Sequence, residues 1–410
     1  MNLYATIILT TLLVDYLLGL VADVLNLRAS TNEPPADVAG IYEASAYAKS
    51  QRYTRDSTQF GLVASSVDLA ALLIFWFLGG FNHLDLWLRD FDLHPLLTGL
   101  LYIGILGLAK AALDLPFRIY STFVIEERYG FNRTTPKTFV TDLLKGLALA
   151  LILGGPILAL VLTLFDRAGA GAWLFCWLGF ALFTLALQIV LPIWILPLFL
   201  DFSPLEEGEL RTKLSEYARS VGFALQGIFV IDGSRRSSRA NAFFTGIGAN
   251  KRIALFDTLI EKHSAQELVA VLAHEVGHYK KRHIVKTLAL AIAHSGVMFY
   301  LLSLFLSHQG LFEAFGMERT STYTGLVFFG LLYAPVELLL SMVLNVQLRR
   351  HEFEADRFAV ETIDEPQAMA SALEKLAADN LSNLTPHPFY VFLNYSHPPL
   401  RERLAAIRAV

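Results

Sequence analysis

Cysteine is nearly missing: Cys176 is the only one in 410 residues, and it lies in an apolar run. A single thiol excludes an intramolecular disulfide and any metal site built on cysteines. Charge is scarce too. Asp, Glu, Lys and Arg make up 17% of the chain, where soluble proteins carry about a quarter. The net charge of -4 and the lack of a basic arm give no signal for a nucleic-acid partner. The opening Met1-Asn2-Leu3-Tyr4 has neither a basic n-region nor a small-residue cleavage site, and reads as a retained membrane span instead of a signal peptide.

What the chain has in excess is apolar residues, at 54%, with a mean hydropathy of +0.48. They gather in runs near 3–27, 59–80, 94–118, 139–166, 171–200, 285–307 and 323–347, each long enough to cross a bilayer as a helix. Basic residues alternate between the connecting loops. Arg28, Lys49, Arg52 and Arg55 lie in the first loop, and Arg118, Arg128, Arg133 and Lys137 in the third. The second, fourth and sixth loops offer only Arg89, Arg167 and Arg319. This asymmetry predicts an N-terminus outside and a C-terminal tail in the cytoplasm. Asp15, Asp68, Lys110, Asp114, His294 and Glu337 fall inside spans, where charge is costly against lipid. Lys110 and Asp114 can pair along one helix at i,i+4; the set as a whole fits either a polar interior cavity or scattered contacts between helices.

These runs predict a mainly α, polytopic membrane protein of about seven transmembrane helices, with a cytoplasmic α/β unit. Residues 1–200 hold spans one to five, 201–284 a cytoplasmic insert, 285–347 spans six and seven, and 348–410 a C-terminal segment. Within the insert, a helix is expected over 204–221 and strands at 227–231, 241–246 and 252–256, the last two separated by the turn signal Gly248-Ala249-Asn250. Ser264 and Glu267 then form a Ser-x-x-Glu capping box that opens a helix.

That helix carries His274-Glu275-Val276-Gly277-His278, an H-E-x-x-H motif. Histidines at i and i+4 stand on one face, close enough to share a tetrahedral metal ion. Glu275 between them is placed to take a proton from a water activated by that ion. The pattern is that of zinc hydrolases. A longer form with a third histidine fails, because Lys281 and Ile284 occupy the positions where it needs Gly and His. His283 lies about 140° from His278 on a continuous helix, the wrong face for a ligand, and is read as interfacial or structural.

A third ligand is expected from Arg350-His351-Glu352-Phe353-Glu354-Ala355-Asp356, which the hairpin of spans six and seven returns to the same membrane face. Glu352 and Asp356 are i,i+4 on one side, whereas Glu354 points about 160° away. Glu352 then serves as ligand, with Asp356 orienting a ligating imidazole from behind. Glu354 is expected to be solvated or paired with Arg350. Near the C-terminus, His397 and Arg403 offer donors or positive charge for an anionic intermediate, although a histidine before two prolines also reads as a turn residue.

Taken together, the residues resemble the type I CAAX prenyl endopeptidases, integral-membrane zinc proteases. The resemblance rests on Glu126-Glu127-Arg128-Tyr129-Gly130-Phe131-Asn132-Arg133-Thr134-Thr135, Asn241-Ala242-Phe243, Lys251–Leu259, His274–His278, Glu352–Asp356 and Ser396–Arg403. It implies seven helices around a water-filled chamber and one Zn2+ per chain on His274, His278 and Glu352. It further implies Glu275 as catalytic base, Asn241 on the substrate backbone, and His397 and Arg403 at the active site. The implied partners are the lipid bilayer and a peptide or protein substrate, lipidated or membrane-bound, cleaved after a prenylated cysteine. A tail without a lysine-rich retrieval signal and a short loop between spans six and seven favour a bacterial plasma-membrane form. Two other readings stand beside this one: a quality-control protease acting on non-prenylated membrane proteins, and a transporter-like non-enzyme, which would have no use for the ligand set.

Overall fold

A computed structural model describes residues 1–31, 33–34, 40–41, 43–245 and 251–410. The turn signal at 248–250 and Gly246 lie outside the described residues. Seven helices are long and apolar enough to span a membrane: Leu3–Ala29, Ala44–Phe77, Pro95–Tyr129, Pro136–Arg167, Gly169–Leu198, His283–Phe305 and Thr322–Thr362. Their number and order match the apolar runs. Three extend past the apolar stretch, because a helix does not stop where lipid does. Span two starts at Ala44, span three runs to Tyr129, and span seven continues to Thr362, carrying its polar last turns out of the membrane.

Three spans widen locally into π-type turns, at Ser121–Glu126, Ala150–Gly154 and Leu191–Ile195. Pro156 lies just after the second of them and Pro192 within the third. Proline has no N–H to give to the carbonyl four residues back, so the helical ladder must adjust there.

Among the described residues, the insert between spans five and six holds a four-stranded sheet in the order β1-β2-β4-β3. Its strands are β1 (Phe202–Pro204), β2 (Leu225–Ile231), β3 (Ala242–Thr245) and β4 (Lys251–Phe256). β1 corrects the sequence reading, which expected a helix from 204. Phe202 pairs with Ile231 and Pro204 with Phe229 in antiparallel register, and proline is tolerated because β1 is an edge strand. The helix begins only at Glu209 and ends at Ser220. β2 and β4 are parallel, while β3 runs antiparallel to β4 and forms the other edge.

One hydrophobic core joins this insert to the end of the chain. Leu214, Ile253, Leu255, Leu259, Leu268 and Leu272 pack with Ala359, Met369, Leu373 and Ile407. The helix Ala265–Lys280 crosses the long seventh helix so closely that a Cβ on Gly277 would lie 3.0 Å from the Cα and carbonyl oxygen of Ala355. Backbone cannot give way as a flexible side chain can, so glycine is required there. That crossing brings the ends of spans six and seven together and sets the geometry of the site.

Five of the six ionisable groups named within the spans, Asp68, Lys110, Asp114, His294 and Glu337, find partners. Lys110 Nζ lies 2.7 Å from Asp114 on its own helix and 3.1 Å from Asp68 on span two. His294 Nε2 lies 2.9 Å from the Tyr333 hydroxyl and 3.5 Å from Glu337. Both expected arrangements thus occur at Lys110, an i,i+4 pair and a contact between helices.

Candidate active site

The helix Ala265–Lys280 starts with the anticipated reciprocal capping box between Ser264 and Glu267. Glu267 is also held by Ser371 and by Lys375, at 2.8 Å. Burial alone would raise its pKa, but the bonds from Lys375, Ser371 and the Ser264 N–H outweigh it and hold the carboxyl down at about 2. The start of this helix is therefore pinned to the helix Gln367–Asp379, which fixes the rotation that its histidines present.

His274, His278 and Glu352 each offer a donor atom, all within 4.8 Å of one another. His274 Nε2 and His278 Nε2 are 3.0 Å apart, and Glu352 carboxylate oxygens lie 3.3 Å from His278 Nε2 and 3.5 Å from His274 Nε2. Ligands about 2.0–2.1 Å from a tetrahedral ion are roughly 3.3 Å from each other. Glu352 is 6% exposed, and its buried Oε2 has no hydrogen-bond partner among the described residues. A buried carboxylate oxygen without a hydrogen bond is costly unless cations complete it, and the Arg403 guanidinium 3.4 Å away supplies one of them. Two imidazoles and a carboxylate so spaced fit a metal ion, with one position left for water.

Behind this cluster, Asp356 is 1% exposed and accepts from His274 Nδ1 at 2.8 Å. With the proton on Nδ1, His274 turns its Nε2 lone pair to the cluster. Arg403 grips the same carboxylate through two bonds, Nε to Oδ2 at 2.7 Å and Nη2 to Oδ1 at 2.6 Å, and its Nη1 lies 3.4 Å from Glu352 Oε2. His397 Nε2 reaches Glu352 Oε1 at 3.4 Å from a largely exposed position, and its Nδ1 faces the Ser396 hydroxyl. Glu275 is half-buried beside the histidines with no hydrogen bond or ion pair among the described residues. Desolvation raises its pKa, against the opposing pull of His274 and His278. A carboxyl so placed is a better proton acceptor than a solvated one.

Comparison with known proteins gives the family. Residues 204–410 match the model of peptidase family M48, and residues 23–201 match that of the CAAX prenyl protease N-terminal region, with five membrane helices. The chain belongs to peptidase family M48. CAAX prenyl protease 1 of Saccharomyces cerevisiae is 36% identical over 386 residues, covering 88% of this chain and 85% of that protein. The Homo sapiens homologue is 31% identical over 432 residues, covering 93% and 90%. Among solved structures, S. mikatae Ste24p superimposes with a TM-score of 0.94 at 32% identity, covering 99% of both chains. The M48 chain is thus an integral-membrane metallopeptidase with the seven-helix chamber fold, acting on peptide or protein substrates. Its kinship and its donor cluster argue against the transporter-like reading.

Each site residue singled out in the sequence has a definite place. His274, Glu275, His278, Glu352, Asp356, His397 and Arg403 converge. Asn241 does not touch the donors; it is exposed at the start of edge strand β3, where its Oδ1 accepts from the Ala242 N–H at 2.8 Å. Two surroundings of the site differ from the sequence reading. The helix breaks at Arg282, whose φ of 59° is left-handed, so the 140° offset that removed His283 from the site does not apply. The break swings His283 Nδ1 to 3.0 Å from His278 Nδ1. Glu354, expected to be solvated or paired with Arg350, does lie 3.8 Å from Arg350 but bonds His283 more closely, at 3.0 Å.

Proposed function

We propose that this M48 peptidase is a zinc endopeptidase whose ion is held by His274, His278 and Glu352, with Glu275 as general base. The observation that carries the reading is the close approach of three donors, the Nε2 atoms of His274 and His278 and the buried carboxylate of Glu352, at tetrahedral spacing. Two histidines and a glutamate are a usual catalytic zinc set. Zinc at these donors supplies a Lewis acid that polarises the scissile carbonyl and makes a water acidic near neutral pH. Glu275 accepts the proton of the attacking water and returns it to the leaving amine. Asp356 holds His274 in the ligating tautomer, and Arg403 is held rigid by Asp356 in turn. Arg403 and His397 stabilise the negative charge that develops on the carbonyl oxygen. β3 pairs on one side only among the described residues; its open edge suits an extended peptide bound through main-chain hydrogen bonds, with Asn241 contacting the substrate backbone.

For substrate, the names of the yeast and human relatives support a CAAX protein, lipidated at its cysteine and cleaved just after it. The alternating basic loops support an outside N-terminus and a cytoplasmic active site. A short connection between spans six and seven supports a bacterial plasma-membrane form. Terminal peptides from membranes carrying wild-type enzyme and the Glu275→Ala form test this assignment. Trimmed C-termini after lipidated cysteines, present only with wild type, are the expected outcome. Cuts spread through non-lipidated membrane proteins would replace it with quality control.

A further inference from the structure

His274 and His278 occupy equivalent places on one helix, yet only His274 has a carboxylate directly behind it. Behind His278 stands a second imidazole. His283 is 3% exposed; its Nδ1 lies 3.0 Å from His278 Nδ1 and its Nε2 lies 3.0 Å from Glu354 Oε2. The ring is fixed in plane by stacking on His351, with centroids 4.0 Å apart and an interplanar angle of 9°. His351 is tied in turn to Gln347 at 2.8 Å. The left-handed Arg282 makes this placement possible, because a continuous helix would carry His283 away.

The protons in this chain have one favourable order. Between two Nδ1 atoms at 3.0 Å, one must donate. If His283 donated, its neutral ring would turn an unprotonated Nε2 toward the Glu354 carboxylate, setting two acceptors against each other. If His278 donates, His283 accepts at Nδ1 and gives its Nε2–H to Glu354, so every atom is matched. The matched order leaves the lone pair of His278 on Nε2, the atom facing His274 and Glu352.

We propose that His283 and Glu354 are positioning residues that hold His278 in its ligating tautomer, as Asp356 holds His274. This rests on the ligand assignment made under Proposed function. Partners of this kind, one bond removed from a ligand, typically carry about 10–100-fold in metal affinity.

Zinc competition against a chromophoric chelator, on full-length protein in detergent, tests it. Glu352→Ala is the control for the ligand assignment and is expected to lose the site. His283→Leu is expected to bind zinc about 10–100-fold more weakly. His283→Gln, which keeps an acceptor for His278, is expected to recover most of that loss; a merely structural role would show no such rescue. Glu354→Ala removes a side chain that is 37% exposed, so it decides the matter if His283→Leu does not fold, and should weaken binding by about 10-fold. Wild-type affinity in His283→Leu or in Glu354→Ala, with Glu352→Ala devoid of zinc, would overturn the positioning role alone. Wild-type affinity in Glu352→Ala would overturn the ligand assignment and this inference with it.

Discussion

The membrane bundle and the unit that carries the site treat charge differently. In the bundle, Lys110, Asp68 and Asp114 pair while staying 52%, 47% and 42% exposed. At the site, the Asp356 and Glu352 side chains are 2% and 8% exposed, and Arg403 is 11%. Half-exposed pairs can exchange partners for water and are worth little to stability. Buried ones have a single arrangement, and removing one member strands the others. The bundle therefore holds these charges loosely, whereas the site is specified by its buried ones.

The comparison breaks most sharply at Glu275. Glu275→Ala should abolish peptide cleavage in the purified enzyme while zinc stays bound, since the side chain is not among the three donors; residual hydrolysis at the wild-type rate would remove its role as base. Next comes Gly277. Gly277→Val forces a branched side chain against the Ala355 backbone, which a Cβ already approaches to 3.0 Å. An overpacking cost of about 1–3 kcal/mol is expected, seen as a lower melting temperature and weaker zinc binding together. A melting curve like wild type would show that the crossing can relax.

Smaller effects sharpen the contrast. Glu267→Gln removes a buried anion that Lys375 and Ser371 hold, and should cost about 1–3 kcal/mol near neutral pH. The pKa of Glu267 is lowered from 4.5 to about 2 in the folded chain. Its stabilisation is therefore complete above about 4.5 and fades as pH falls toward about 2. The melting difference between wild type and variant should shrink over that window, and a pH-independent difference would contradict the assignment. The smallest change is expected in the bundle. Asp68→Asn leaves Lys110 its i,i+4 partner Asp114 and should shift stability by under about 1 kcal/mol, whereas a large loss would mean that the bundle is as tightly specified as the site.

Much of this was legible in the sequence. Apolar runs gave the spans, because lipid forces every backbone group into a helix. H-E-x-x-H gave the first two donors, and helical phase selected Glu352 over Glu354 and put Asp356 behind the cluster. Other features were written in contacts and not in periodicity. β1 is three residues ending in proline, too short to show alternation, and exists only because Phe229–Ile231 lie beside it. The break at Arg282 is a backbone conformation that no single residue there requires, and missing it hid the contact of His283 with His278. His397 and Arg403 were only weak candidates on their chemistry, His397 reading equally as a turn residue, until the family resemblance added weight. Only the fold brings Arg403 to Asp356, 47 positions away.

The central claim is that His274, His278 and Glu352 together hold the metal. Its most direct test is metal content, measured by elemental analysis on purified wild type, Glu352→Ala and Glu275→Ala. About one zinc per chain is expected in wild type and Glu275→Ala, with next to none in Glu352→Ala. Full zinc occupancy in Glu352→Ala would contradict it.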